Sequence, residues 1–303
     1  MVKHRHNQGF TLIELSIVLV VIGLIVGGIL VGQNLINAAA MRAQISQIEK
    51  YNTAANTFRE KFGFLPGDIT PQAVTQFNFT ASPTRTGAPG SGDGNGELDG
   101  NTSGTLAYSW AQTGENLFFW EDLSTNSHLI EGAFNAASGA NGIIWISGSG
   151  CSSIAACSAY LPYARIGNGA FVYVYSGYAN RCPPPNSGCG PNFFGLSIIT
   201  SMNIYGDVDG GSIPSAPALT VAQAYAIDSK IDDGLPTTGN VLAQYLGTGG
   251  YTNSGAPGWS TNGSTPSAST CYDTSSGIAA YSISYQNGAL MNCGISFRMQ
   301  AGD

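Results

Sequence analysis

From Phe10 to Gly32 the chain reads FTLIELSIVLVVIGLIVGGILVG, with Glu14 as its single charge. A run of about 20 apolar residues crosses the hydrocarbon core of a bilayer as a helix. No proline stops the helix at Gly32, and beyond it the apolar residues thin to a stripe. Ile45, Ile48, Ala55, Phe58 and Phe62 recur three, four or seven apart, which is one face of a helix. Arg42, Glu49, Lys50, Arg59, Glu60 and Lys61 occupy polar positions around that stripe. The pattern predicts one helix from Phe10 to about Phe62, roughly 80 Å long at about 1.5 Å per residue. Lipid solvates its first half. Its second half needs a soluble partner.

The rest of the chain supplies that partner. Residues 170–176, 193–202, 279–285, 294–299 and 143–147 carry β-branched and aromatic side chains between Gly, Pro and Asn clusters and read as strands. Thr220 to Asp233 reads as a helix ended by Gly234 and Pro236, and a helix is expected over the first half of 114–132. Residues 81–106 and 247–270 are rich in Gly, Ser, Thr and Asn and read as long loops. Pro66 disfavours helical geometry at the residue before it, and Gly67 permits a tight turn. The expected architecture is α+β: a long N-terminal helix, membrane-spanning over 10–32, packed on a C-terminal antiparallel β-sheet domain with long loops. Residues 1–9 form a leader, 10–62 the helix and 63–303 the globular domain.

Charge and cysteine placement give the orientation. Lys3 and Arg5 precede the span and hold that end in the cytoplasm. All six cysteines follow residue 150, which fits a disulfide-bonded exported domain. Their order pairs Cys151 with Cys157, Cys182 with Cys189 and Cys271 with Cys293, although order alone leaves the connectivity open. No cysteine spacing matches a zinc site. After Phe62 only Arg85, Arg165, Arg181, Lys230 and Arg298 are basic against fifteen acidic residues, a net charge of −10. The basic footprint of a nucleic-acid-binding domain is missing.

The junction before the span is distinctive. Gly9-Phe10-Thr11-Leu12-Ile13-Glu14 resembles the prepilin signature of type IV pilins and type II secretion pseudopilins. The resemblance extends to Leu65-Pro66-Gly67-Asp68 and to the run from Ala226 to Pro236. It implies that a membrane aspartyl peptidase cuts after Gly9 and methylates the new terminus, Phe10. It makes Glu14 the carboxylate of filament assembly. It implies as partners copies of the chain or other pilins, the prepilin peptidase and an inner-membrane assembly platform, with membrane lipid before assembly. The soluble domain is then periplasmic, and the assembled filament lies in the periplasm or at the cell surface.

The residues themselves are compatible with that role. A carboxylate inside a bilayer is costly unless paired, and is a functional candidate on that ground alone. The competing reading is a Glu near the membrane edge that snorkels to water. Gly23 with Gly27 and Gly28 with Gly32 form two small-xxx-small pairs that let helices approach closely, although glycine is also common in membrane helices.

Two other chemistries need weighing. In Asp93-Gly94-Asn95-Gly96-Glu97-Leu98-Asp99 oxygen side chains recur at every second position, which suits a hard cation such as calcium. The match to an EF-hand loop is incomplete, and Asp-Gly-Asn-Gly is also ordinary turn chemistry. Asp207 with Asp209, and Asp228 with Asp232 and Asp233, are weaker candidates of the same kind. No other cofactor is expected. An enzyme is not expected either. There is no Gly-x-Ser-x-Gly, no His-Glu-x-x-His and no phosphate loop, and His128, the one histidine beyond the leader, has no evident partner. The expected role is a structural subunit of a type IV pilus or pilus-like filament; the alternatives are a pseudopilin of a type II secretion system and a tethered binding protein that never polymerises, the last with no need of the Gly9 junction or of Glu14.

Overall fold

A computed structural model describes residues 11–79, 84–88, 90–98, 102–103, 106–107, 114–136, 157–176, 192–199, 215–245 and 266–301. Gly9, Phe10, Asp99, Cys151, Cys182 and Cys189 lie outside these residues, as do Asp207, Asp209 and the expected strand at 143–147.

Helix α1, Leu12–Phe62, is a single element of 51 residues. Its burial changes along its length. The large apolar residues from Leu12 to Ile36 are 47–89 % exposed, whereas Gln44, Gln47, Ile48, Tyr51, Asn52, Ala54, Ala55, Phe58 and Phe62 are buried. The upper half therefore docks on the domain by the expected stripe, with Ile45 only partly buried. The helix ends at a left-handed Gly63, φ 82°, whose N–H donates to the Arg59 carbonyl at 2.8 Å. Gly63, not Pro66, is the stop: a left-handed cap at glycine closes the last turn before the proline is reached.

Beyond the turn lies a short helix α2, Pro71–Gln76, started by Thr70, whose hydroxyl accepts from the Ala73 N–H at 3.4 Å. The two-residue strands β1, Thr102–Ser103, and β2, Leu106–Ala107, pair within the region read as loop. Helix α3, Glu115–Glu121, passes directly into a π-helical turn at Asp122–Asn126.

The main sheet is antiparallel. Strand β3, Ala170–Ser176, pairs with β4, Asn192–Ile199, which pairs with the C-terminal strand β10, Met291–Arg298. The far edge of β10 takes β6, Leu219–Thr220, and then β7, Val241–Tyr245. Strand β5, Ser215–Ala216, extends β4. Helix α4, Val221–Ile231, starts with a capping box between Thr220 and Gln223. Two-residue strands β8, Tyr272–Asp273, and β9, Ala280–Tyr281, form a hairpin where a longer strand over 279–285 was expected. The chain turns instead into a 3-10 segment at Tyr285–Gly288, with Gln286 and Asn287 left-handed.

Aromatic rings join the layers. Tyr51 on α1 meets Trp120 on α3 edge-on at 4.9 Å and Phe194 on β4 at 6.2 Å. Phe62 meets Phe77 and Phe79 at 5.0 and 4.9 Å. Cys271 and Cys293 are fully buried and joined by a disulfide that ties β10 to the β8 hairpin. Cys157 is disulfide-bonded as well. Replacing Cys271 and Cys293 together by Ala is expected to cost about 2–5 kcal/mol. Chemical denaturation of the full chain in detergent checks this, and an unchanged midpoint would contradict it.

Among the described residues, one ion pair lies in the interior. Arg85 reaches Asp122 through two bonds, at 2.9 and 2.5 Å, and stacks over Phe118 at 4.1 Å. The Asp122 carboxylate also accepts from the Gly67 N–H at 2.7 Å and from Asn126 at 2.9 Å. One carboxylate thus holds the turn after α1, the glycine-rich loop and the π-helical turn together. Arg85→Met leaves that buried charge without its counter-ion, at an expected cost of about 3–5 kcal/mol. A thermal melt compared with wild type measures it; a shift of less than a degree would show that the pair contributes little.

Candidate functional site

Thr11 is the N-cap of α1, in extended conformation at φ −80° and ψ 152°. Its N–H and its hydroxyl both donate to Glu14 Oε2 at 2.8 Å, and the Glu14 N–H donates back to the hydroxyl at 3.3 Å. This capping box satisfies donors of the first turn that have no partner within the helix. It also fixes the Glu14 carboxylate beside the helix N-terminus, where the helix dipole favours negative charge. The acid is therefore held against the Thr11 backbone N–H and hydroxyl.

Downstream of Glu14, a Cβ placed on Gly23, Gly27, Gly28 or Gly32 would touch nothing within 4 Å. Among the described residues of one chain, no neighbour requires glycine at these four positions. The described structure includes one helix long and apolar enough to cross a membrane, and none of its most apolar window is buried.

The acidic loop is arranged differently from its sequence pattern. Asp93 accepts from the Asn95 backbone and side chain, each at 3.1 Å, and Asn95 Oδ1 accepts from the Glu97 N–H at 2.6 Å. These bonds build successive tight turns. Asp93 gathers instead with Asp68 and Glu115, their oxygens within 4.8 Å of one another. Asp68 accepts from the Gly94 and Gly96 N–H groups at 2.6 and 2.7 Å, and Glu115 accepts from that of Gly92 at 2.7 Å. The buried acids thus satisfy the backbone donors of a glycine-rich strap. Burial pushes the Asp68 carboxyl up to about 7 against the pull of those two bonds, and the neighbouring Asp93 adds to the rise. Sequence spacing misses this grouping because Asp68 and Glu115 flank the loop from distant segments.

The second acidic run closes the end of α4. Asp228 is buried and accepts from the Tyr281 hydroxyl at 2.7 Å and the Gly234 N–H at 3.1 Å. Asp232 accepts from the Asn240 and Val241 N–H groups, and Asp233 accepts from Leu235 and Thr238. The three carboxylates lie together, their oxygens within 4.8 Å of one another. His128 occupies a left-handed turn at φ 55°, its N–H donating to the Ser124 carbonyl at 3.0 Å.

Buried acids make stability depend on pH. Burial is the main cause that raises Glu121 to about 8, with Asp122 adding and Arg85 opposing. Burial likewise raises Asp228 to about 6. In the unfolded chain both groups release their protons near the ordinary carboxylate range, about 4. Between there and about pH 8 the folded state binds more protons, so stability falls as pH rises. The melting temperature is expected to be higher at pH 5.5 than at pH 8, with a smaller difference for Glu121→Gln. A melt that rises with pH would contradict this.

The N-terminal region also matches a known family pattern. Residues 4–30 match the prokaryotic N-terminal methylation motif, so the chain carries the prepilin-type signal of type IV pilins and pseudopilins. The match spans Gly9, Phe10 and Glu14 and stops short of the domain-docking half of α1. No curated protein and no solved structure matches the chain.

Proposed function

We propose that the chain is a structural subunit of a type IV pilus or pilus-like filament, cut after Gly9 and assembled through α1. The observation that carries this reading is the methylation motif continuing into a helix whose first half has no partner among the described residues of its own chain. A tether needs only an apolar span. This span adds a carboxylate fixed in its first turn and four glycines that no contact among the described residues requires. Copies of α1 replacing lipid around Leu12–Ile36 would use both, because small residues allow close helix approach. In that assembly Glu14 pairs with the α-amine of a neighbouring Phe10. The domain, tied by a buried disulfide, faces outward from the inner membrane into an oxidising compartment. The partners are copies of the chain or other pilins, the prepilin peptidase and the inner-membrane assembly platform.

Shearing cells that make filaments and blotting for the chain tests the reading. It is expected in the filament fraction as well as in the membrane. Recovery wholly in the membrane, from cells with intact filaments, would overturn it.

A further inference from the structure

We propose that Gln44, Gln47 and Asn52 are positioning residues that fix the height of the domain on α1, and through it the alignment of neighbouring subunits. The second part rests on the filament reading above; the first does not.

The apolar stripe of α1 chooses a face of the helix but specifies height poorly. Ile48, Tyr51, Ala55, Phe58 and Phe62 alternate spacings of three and four. A slip of two turns lays Ile48 on the place of Ala55, Tyr51 on that of Phe58 and Ala55 on that of Phe62. Apolar still meets apolar, and the hydrophobic effect is non-directional. Differences in side-chain volume oppose the slip, and of the five places only that of Tyr51 would receive a polar residue, Gln44.

The buried amides behave differently. Gln44 Oε1 accepts from the Ile166 N–H at 3.0 Å. Gln47 Oε1 accepts from the Arg165 N–H at 3.0 Å, while its Nε2 donates to the Tyr163 carbonyl at 2.7 Å and to the Tyr51 hydroxyl at 2.9 Å. Asn52 Oδ1 accepts from the Gln300 N–H at 3.0 Å, just beyond β10. Two remote segments of the domain, 163–166 and Gln300, are thus read by amides on one helix. All three amide residues are at most 9 % exposed, so water does not substitute for a lost partner.

Sliding the helix breaks the match in either direction. One slip of seven residues puts Tyr51, Ala54 and Arg59 where Gln44, Gln47 and Asn52 belong. The other puts Asn37, Ala40 and Ile45 there. Neither set supplies the three acceptors and the donor. Buried polar residues fix register in helical coiled coils by the same logic, since only one alignment satisfies them. The height matters because α1 is continuous from Glu14 to the domain. One helical turn is about 5.4 Å, so a slipped domain would sit a turn or more out of line with the Glu14 contacts of its neighbours.

The test uses the full chain in membranes, with a photo-crosslinking benzoylphenylalanine at Ala43, which lines an open groove together with segments 130–134 and 158–165. Crosslinked peptides are mapped by mass spectrometry. With the native amides, crosslinks are expected in 130–134 and 158–166 alone. With Gln44→Leu, Gln47→Leu and Asn52→Leu combined, they are expected to spread to further peptides, and filament incorporation is expected to fall at least tenfold at equal membrane levels. Protease resistance reports folding; if the triple variant fails it, Gln47→Leu and Asn52→Leu are scored singly by the same readouts. An unspread crosslink pattern in folded variants overturns the height claim. A spread pattern with normal incorporation overturns the alignment claim. Absence of the wild-type chain from filaments, with crosslinks confined to 130–134 and 158–166, removes the filament reading and leaves the height claim standing.

Discussion

A chain carrying Glu14→Ala is expected to insert, be processed and fold, and then fail to polymerise by itself. Insertion becomes easier, because a central acid costs about 2.5–3.5 kcal/mol on insertion scales. The domain is unaffected, since among the described residues α1 first packs against the core at Ala40, about 39 Å beyond Glu14 at about 1.5 Å per residue. The first turn loses the Thr11 capping box, worth about 1 kcal/mol. The assembled state loses more. Leaving a neighbour's amine unpaired in low dielectric costs about 3–5 kcal/mol, and the loss recurs at every subunit contact. Glu14→Gln separates the two effects: its amide oxygen still accepts from Thr11 but carries no charge. If the ion pair governs assembly, Gln fails as Ala does; if capping governs it, Gln assembles. Sheared filament yield is read against membrane level, and normal yield from Glu14→Ala would remove the assembly role.

Gly9→Val is expected to stop processing altogether. The substitution lies before the membrane span and far from every described contact of the domain, so folding and insertion should proceed. Only a residue without a side chain is expected to fit the peptidase at that junction. The unprocessed chain retains its basic leader, and Phe10 then has no free amine to offer Glu14 of a neighbour. A gel should show the chain entirely at precursor size, with none in the filament fraction. A chain of mature size would show that the cut lies elsewhere.

The methylation motif over residues 4–30 was legible in the sequence because local rules govern it: a leader, a junction and an uninterrupted apolar run are all contiguous. The docking stripe was legible for the same reason, and Arg42, Glu49, Lys50, Arg59, Glu60 and Lys61 indeed stay exposed. The amides between them were not. Gln44, Gln47 and Asn52 look like solvated polar positions until segments 163–166 and Gln300 fold against them. Distance in sequence also hides the Arg85–Asp122 pair and the gathering of Asp68, Asp93 and Glu115. The strands 170–176 and 294–299 were found by composition, the latter starting at Met291 in the structure. Over 279–285 the same composition misled, because left-handed residues at 286 and 287 turn the chain out of the sheet.

The central claim is that the mature chain begins at Phe10 and works in a filament through that terminus. Intact-mass and terminal-peptide mass spectrometry of sheared filaments tests it most directly. The account predicts a subunit lacking residues 1–9, with a methyl group on the Phe10 amine. A chain that keeps its leader, or one cut on the far side of the span and found free of filaments, would contradict it.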